Sequence, residues 1–395
     1  MAWRQRPPRG LTPSRPLRYR GLQEPPGGAT MERTTPPPSR LPLAGAIDCD
    51  VHAVVPSVET LFPYLPEYWR ESIAQSGFKG PVDTPYPPGV PTSVRPDARE
   101  PGGPPPGSDL GLLRRHVLDP WSVRYALLNC VYAVESVHNP YAAAALASVV
   151  NDWLREAWLR REPRLRASIV VPVQQPDLAA EEIDRVGGDP GFVQVLLPVR
   201  SEAPYGNRRY WPIYEAAVRH DLVVGIHFGG APGNPPTPCG WPSTYLEEFV
   251  GMASVFQSQV ISLVAEGVFE RFPTLRVALL EGGFTWLPSL MWRLDKEWKG
   301  LRREVPWVRR LPSEYIREHV RLSLQPLDAP PDPRHLLQIV EQMGSDELLL
   351  FATDYPHWHF DAPEEALPAV LPEGLQRKVL VENARAFYRW GDGSA

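Results

Sequence analysis

The sequence predicts an α/β protein of the (β/α)8 TIM-barrel type with a proline-rich insertion after the first strand. Three observations carry this prediction. Eight short runs rich in Val, Ile and Leu recur along the chain, and amphipathic stretches separate most of them. Acidic and imidazole side chains stand at the C-terminal ends of several runs, where a barrel of this kind opens its mouth.

The runs are AIDCDVH (46–52), YALLNCV (125–131), LRASIVVPV (165–173), GFVQVLLPV (191–199), LVVGIHFGG (222–230), LRVALLEGGF (275–284), VRLSLQPLD (320–328) and LLLFATDYPH (348–357). Near-continuous apolar character predicts strands covered on both faces, as in a parallel sheet. Apolar residues at helical spacing predict helices over Tyr141–Glu162, Asp177–Val186, Tyr210–His220, Thr244–Phe272, Trp286–Trp298 and Pro333–Met343. A doubly wound open sheet is the alternative. It would usually carry a glycine-rich phosphate loop after the first strand, and AIDCDVHAVVPS has none.

Residues 1–43 are rich in Arg and Pro, lack the apolar core of a secretory signal and are expected to be disordered, with Met31 an alternative start. Residues 44–390 read as one barrel domain in which 60–120 forms a lid or insertion. Within it, 81–106 holds too many prolines for a helix or an inner strand.

A chain of 395 residues that is 43% hydrophobic can bury a large core. Its net charge of -5 argues against a nucleic-acid surface. No run approaches the ~20 apolar residues that span a bilayer. The expected partner is therefore a small-molecule substrate, with no nucleic acid and no membrane. Cys49, Cys130 and Cys239 form no CxxC pair, which disfavours a disulfide framework and fits a reduced, cytoplasmic setting.

The first run ends in Asp48-Cys49-Asp50-Val51-His52. Residues two apart in a strand share a face, so Asp50 and His52 are expected to point into the mouth together. A carboxylate beside an imidazole can ligate a divalent metal, although a salt-bridged histidine explains the same pattern. His227 ends the fifth run, followed by glycines that leave room for a ligand. Asp354 ends the eighth run, and a carboxylate buried there needs a strong partner such as a metal. Helix capping is its other reading. Glu281 ends the sixth run as a ligand or a general acid–base. His357 either faces the substrate or caps a turn. Arg200 either clamps a substrate carboxylate or forms an ordinary salt bridge. Trp241, Trp286 and Trp358 follow strand ends and suit a planar substrate. By the period of two, Asp48 lies on the Asp50 side but deeper, either orienting a ligand or making a core hydrogen bond.

On IDCDVH, GIHFGG, RFPTLRVALLEGGFTWLP, ATDYPH and ENARAFY, in order between Ala46 and Tyr388, the sequence resembles the amidohydrolase superfamily. The resemblance is narrower to the amidohydrolase-related branch that includes aminocarboxymuconate semialdehyde decarboxylase and the resorcylate-type decarboxylases. It implies a distorted (β/α)8 barrel in which Asp50, His52, His227 and Asp354 hold a divalent metal, zinc or manganese. Strand 4 has no lysine to bridge two metals, so one ion is implied. A homodimer is expected from the same resemblance. The chain departs from the decarboxylases at the end of strand 6, where Glu281 replaces their histidine.

The leading expectation is a mononuclear hydrolase acting on a small planar or carboxylated substrate through metal-activated water. Asp354 would orient or deprotonate that water, and Glu281 would pass a proton to the leaving group. The alternative is a metal-dependent non-oxidative decarboxylase of an aromatic or enoic acid. A barrel without catalysis is the third reading.

Overall fold

The computed structural model describes residues 45–82, 94–99, 102–230, 235, 239–357 and 366–391. All eight apolar runs form strands: β1 (Ile47–His52), β2 (Tyr125–Asn129), β3 (Leu165–Val170), β4 (Phe192–Pro198), β5 (Val223–His227), β6 (Val277–Leu280), β7 (Val320–Ser323) and β8 (Leu349–Leu350). They lie side by side in chain order as one parallel sheet. The chain after β8 returns to β1 and closes the ring. Cys49 N donates to Phe351 O at 2.9 Å, His52 N to Tyr355 O at 2.7 Å and Asp354 N to Asp50 O at 2.9 Å. The architecture is the predicted (β/α)8 barrel.

Every residue of β1 and β5 is buried, because helices cover the outside while side chains fill the inside. Ile47, Cys49, Leu127, Val223, Ala278, Leu280 and Leu350 form an interior cluster with Phe387 and Tyr388 at the end of the C-terminal helix Asn383–Phe387.

The helices fall where the periodicity places them, with differences at their ends. Pro140–Leu154 continues as a wide turn over Arg155–Leu159. The stretch predicted as one helix over Thr244–Phe272 is two, Tyr245–Ala265 and Val268–Arg271. The break is at Gly267, whose φ of 73° is left-handed. Helices Glu67–Ser76 and Pro312–His319 were not anticipated from the periodicity.

Tyr245–Ala265 corrects one expectation, since by length and hydropathy this helix could cross a bilayer. It serves here as a barrel helix. Met252, Phe256, Val260 and Leu263 are buried, and Gln259 Nε2 donates to Val199 O at 2.7 Å.

The 1–43 tail, Met31 included, and half of the proline-rich segment lie outside the described residues. The described remainder of that segment sits at the barrel mouth. Arg95 N donates to Pro356 O at 2.9 Å, and Val54 N donates to Gly107 O at 3.0 Å.

Candidate metal centre and active-site cavity

The C-terminal ends of β1, β5 and β6 and the segment after β8 converge at the barrel mouth. They bring Asp50, His52, His227, Glu281 and Asp354 together, all of them buried. His52 Nε2 lies 2.8 Å from Asp354 Oδ1. His227 Nε2 lies 3.3 Å from Asp50 Oδ1 and 3.8 Å from Glu281 Oε2. One ligand atom from each of Asp50, His52 and His227 falls within 4.8 Å of the others, and the same holds for His52, Asp354 and His357.

Local backbone aims these groups inward. His227 Nδ1 lies 2.8 Å from the Phe228 carbonyl, to which it donates, so Nε2 is the nitrogen turned to the site. Glu281 and Asp354 adopt φ values of 59° and 57°, a left-handed conformation uncommon for residues with a Cβ. Each swings its carboxylate out of the strand line toward the mouth. Among the described helices, none has Asp354 as its N-cap.

Burial works against protonation of His227, but the carboxylates of Asp50 and Glu281 overcome it and push its pKa to about 10. Burial, and then the charge of Asp354, drives Glu281 well above the usual carboxylate range despite the opposing pull of His227. Three buried carboxylates around two imidazoles form a donor set that a divalent cation would balance. Asp50 Oδ2 is buried without a hydrogen-bond partner. Carboxylate oxygens and imidazole nitrogens suit zinc or manganese alike, and this donor set fits one such ion.

A cavity of about 410 Å³ opens above this floor, lined by His52, His227, Glu281, His357, Arg200 and Tyr132 among others. His357 faces it, with its ring centroid 4.6 Å from that of His52. Arg200 also lines it but is committed elsewhere. Its Nη1 lies 2.7 Å from Glu248 Oε1, and its Nη2 donates to the Gly230 carbonyl. Of the two sequence readings, the salt bridge is the one present. Gly230, at φ 133°, must lack a Cβ here, since one would lie 2.5 Å from Arg200 Cβ.

Of the three tryptophans expected there, neither of the two described lines this cavity. Trp241 is 44% exposed, its ring 5.7 Å from the Arg200 guanidinium. Trp286 turns its Nε1 back to Gly282 O at 2.9 Å and does not line the cavity. Trp358 lies outside the described residues.

Asp48 makes the core hydrogen bonds that were one of its two readings. A register irregularity between Asp48 and Val51 interrupts the period of two, and Cys49 packs in the interior cluster. The Asp48 carboxylate accepts from Thr353 N at 2.9 Å, Thr353 Oγ1 at 2.6 Å and Asp50 N at 3.2 Å. It pins the backbone of β1 to the segment after β8, and it touches no imidazole. Burial pushes its pKa up to about 7 against those hydrogen bonds.

Sequence reasoning missed Asn129, whose Nδ2 donates to Asp50 Oδ1 at 2.8 Å. It also missed Glu248 and the cavity-lining Lys79. Asn129 carried a signal, being a lone amide at the end of the apolar run YALLNCV.

A single-ion site at the mouth of a (β/α)8 barrel defines a class of metal-dependent barrel enzymes. The amidohydrolase family model matches residues 47–390, and the chain belongs to that family. Gamma-resorcylate decarboxylase from Polaromonas sp. is 27% identical over 271 residues, which cover 65% of this chain and 80% of that one. A dihydroxybenzoic acid decarboxylase from Polaromonas sp., solved with manganese and 2-nitroresorcinol, superposes with a TM-score of 0.62. It is 20% identical, and the match covers 88% of this chain and 97% of that one. A 5-carboxyvanillate decarboxylase from Novosphingobium aromaticivorans, solved with manganese, gives a TM-score of 0.65 at 18% identity, covering 88% and 96%. The two structural likenesses establish the fold.

Proposed function

We propose that this enzyme is a metal-dependent carboxy-lyase that removes CO2 from a hydroxylated aromatic acid. The observation that carries the reading is the match, over 80% of its length, to a gamma-resorcylate decarboxylase. It takes precedence over the hydrolase expected from the sequence.

Asp50, His52, His227 and Asp354 would hold one divalent ion, with manganese the first choice because two similar structures contain it. When bound, the ion supplies positive charge to anchor the substrate carboxylate and a neighbouring oxygen. The protein's own groups do the rest. The cavity holds a single-ring acid, and its apolar wall at Val54, Val55 and Phe228 excludes water from the ring. Glu281, on the cavity floor beside His227, delivers a proton to the ring carbon that bears the carboxylate. The carbon–carbon bond then breaks, its electron pair restores the aromatic ring, and CO2 leaves. Glu281 is left as a carboxylate facing His227. His357 lines the cavity beside His52, where it can bind a ring hydroxyl.

Hydrolysis of an amide or lactone is the second reading, favoured by Glu281 at a position where the resembled decarboxylases carry histidine. One experiment separates the two. Manganese-loaded protein is offered hydroxybenzoates, amides and lactones, with CO2 and hydrolysis products measured together. CO2 release from a hydroxybenzoate is expected, falling about 10²–10⁴-fold in Glu281→Gln with metal content unchanged. No CO2 from the loaded protein, with hydrolysis of another substrate, would overturn the carboxy-lyase reading. Unchanged CO2 release in Glu281→Gln would move the proton donor to Asp354 or His357.

A further inference from the structure

We propose that Asn129, Ser168, Gln194 and Tyr388 form a one-way chain of hydrogen-bond donors inside the barrel that orients the Asp50 carboxylate for its cation. The proposal rests on the metal reading above and names four residues that bind nothing themselves.

The chain crosses the barrel interior. Tyr388 Oη donates to Gln194 Oε1 at 2.8 Å. Gln194 Nε2 donates to Ser168 Oγ at 2.9 Å and to Asn129 Oδ1 at 3.3 Å. Ser168 Oγ donates to Asn129 Oδ1 at 2.6 Å. Asn129 Nδ2 completes it, donating to Asp50 Oδ1 at 2.8 Å. β2, β3 and β4 contribute one residue each, Tyr388 follows the C-terminal helix, and all four are buried.

Only one sense of this chain is self-consistent. An ionised carboxylate only accepts, so Asn129 must turn its NH2 to Asp50. The Asn129 oxygen then faces inward and needs donors, which Ser168 and Gln194 supply. Gln194 therefore points its own oxygen at Tyr388, whose hydroxyl donates. Every amide flip is settled by its neighbours, and the polarity runs toward the carboxylate.

Two further observations mark the chain as more than core filling. Barrel interiors are ordinarily packed with branched aliphatic residues, and buried polar groups persist only when fully satisfied. β5 also makes room for the chain. A Cβ at Gly225 would lie 2.3 Å from Gln194 Nε2, so a strand-interior glycine is needed for the amide to cross. At the receiving end, Asn129 fixes Asp50 Oδ1, the oxygen that also lies 3.3 Å from His227 Nε2, while Oδ2 is buried without a hydrogen-bond partner. Fixing one carboxylate oxygen by a neutral donor removes a rotamer that the metal would otherwise have to select.

The test is manganese affinity, read from the loss of the free-ion electron paramagnetic resonance signal on titrating metal-stripped protein. Asn129→Ala should weaken binding about 10–100-fold. Tyr388→Phe and Ser168→Ala, which each delete one hydroxyl, should weaken it by a smaller factor above about twofold. The decisive comparison is the double variant Asn129→Ala/Tyr388→Phe. It should bind no more weakly than Asn129→Ala alone, because Tyr388 acts only through Asn129. Thermal melting of the stripped proteins checks that each variant is folded, and Ser168→Ala carries the test should Tyr388→Phe not fold. Multiplying effects in the double variant, or affinities within about twofold of wild type in both hydroxyl deletions, would overturn the relay while leaving the metal site standing. A wild type that binds no manganese would overturn the metal reading and the relay together.

Discussion

Glu281 and Asp354 hold their carboxylates at the cavity floor from a backbone conformation that costs about 1–3 kcal/mol per residue. The surroundings enforce it. Ser323 Oγ accepts from Glu281 N at 2.9 Å, and Asp50 O accepts from Asp354 N at 2.9 Å. Thr353 adds a second restraint next to Asp354 by donating its hydroxyl to the buried Asp48 carboxylate at 2.6 Å. Thr353→Val keeps the shape and removes that donor, which should cost about 1–3 kcal/mol. Thr353→Ser keeps the hydroxyl and should cost less. Urea unfolding of both measures this, and equal losses in the two variants would refute the hydrogen-bond account.

At the scale of elements, Glu162 ties the turn that ends Pro140–Leu159 to the insertion and to the start of β3. Its carboxylate accepts from Arg164 Nε at 2.8 Å and Arg114 Nε at 2.8 Å. The hydrogen bonds to Arg164, and then to Arg114, outweigh burial and hold its pKa at about 2, against 4.5 for an ordinary glutamate. A carboxyl whose folded pKa is depressed stabilises the fold above its unfolded pKa and loses that contribution as pH falls toward the folded value. Glu162→Gln should therefore be less stable than wild type at pH 6. The gap should close between about pH 4.5 and pH 2. Paired denaturation curves across that range test it, and a gap that widens on acidification would count against the assignment.

For the molecule as a whole, the cation site couples strands from opposite ends of the chain. Asp50 and His52 come from β1, His227 from β5 and Asp354 from the segment after β8. An ion bound by the folded state alone stabilises all of it. At a free-metal concentration about 100 times the Kd the gain is about 2.7 kcal/mol. That should raise the melting temperature by several degrees. Manganese added to stripped wild type should produce this shift, and His227→Ala should not show it. Equal shifts in both proteins would place the ion elsewhere.

The amino-acid sequence alone determined the barrel and most of its floor. Eight apolar runs read as strands buried on both faces, and Asp50, His52, His227, Glu281 and Asp354 stood out as polar exceptions at their C-terminal ends. Local pattern was enough there, because strand ends in this architecture all open onto one mouth. Tertiary structure decided what depends on partners distant in the chain. Arg200 is paired with Glu248, Trp286 turns away from the cavity, and the irregularity in β1 sends Asp48 to Thr353. The polar chain from Tyr388 to Asp50 spans most of the sequence, and its direction exists only once the barrel closes and each amide meets the donor that orients it.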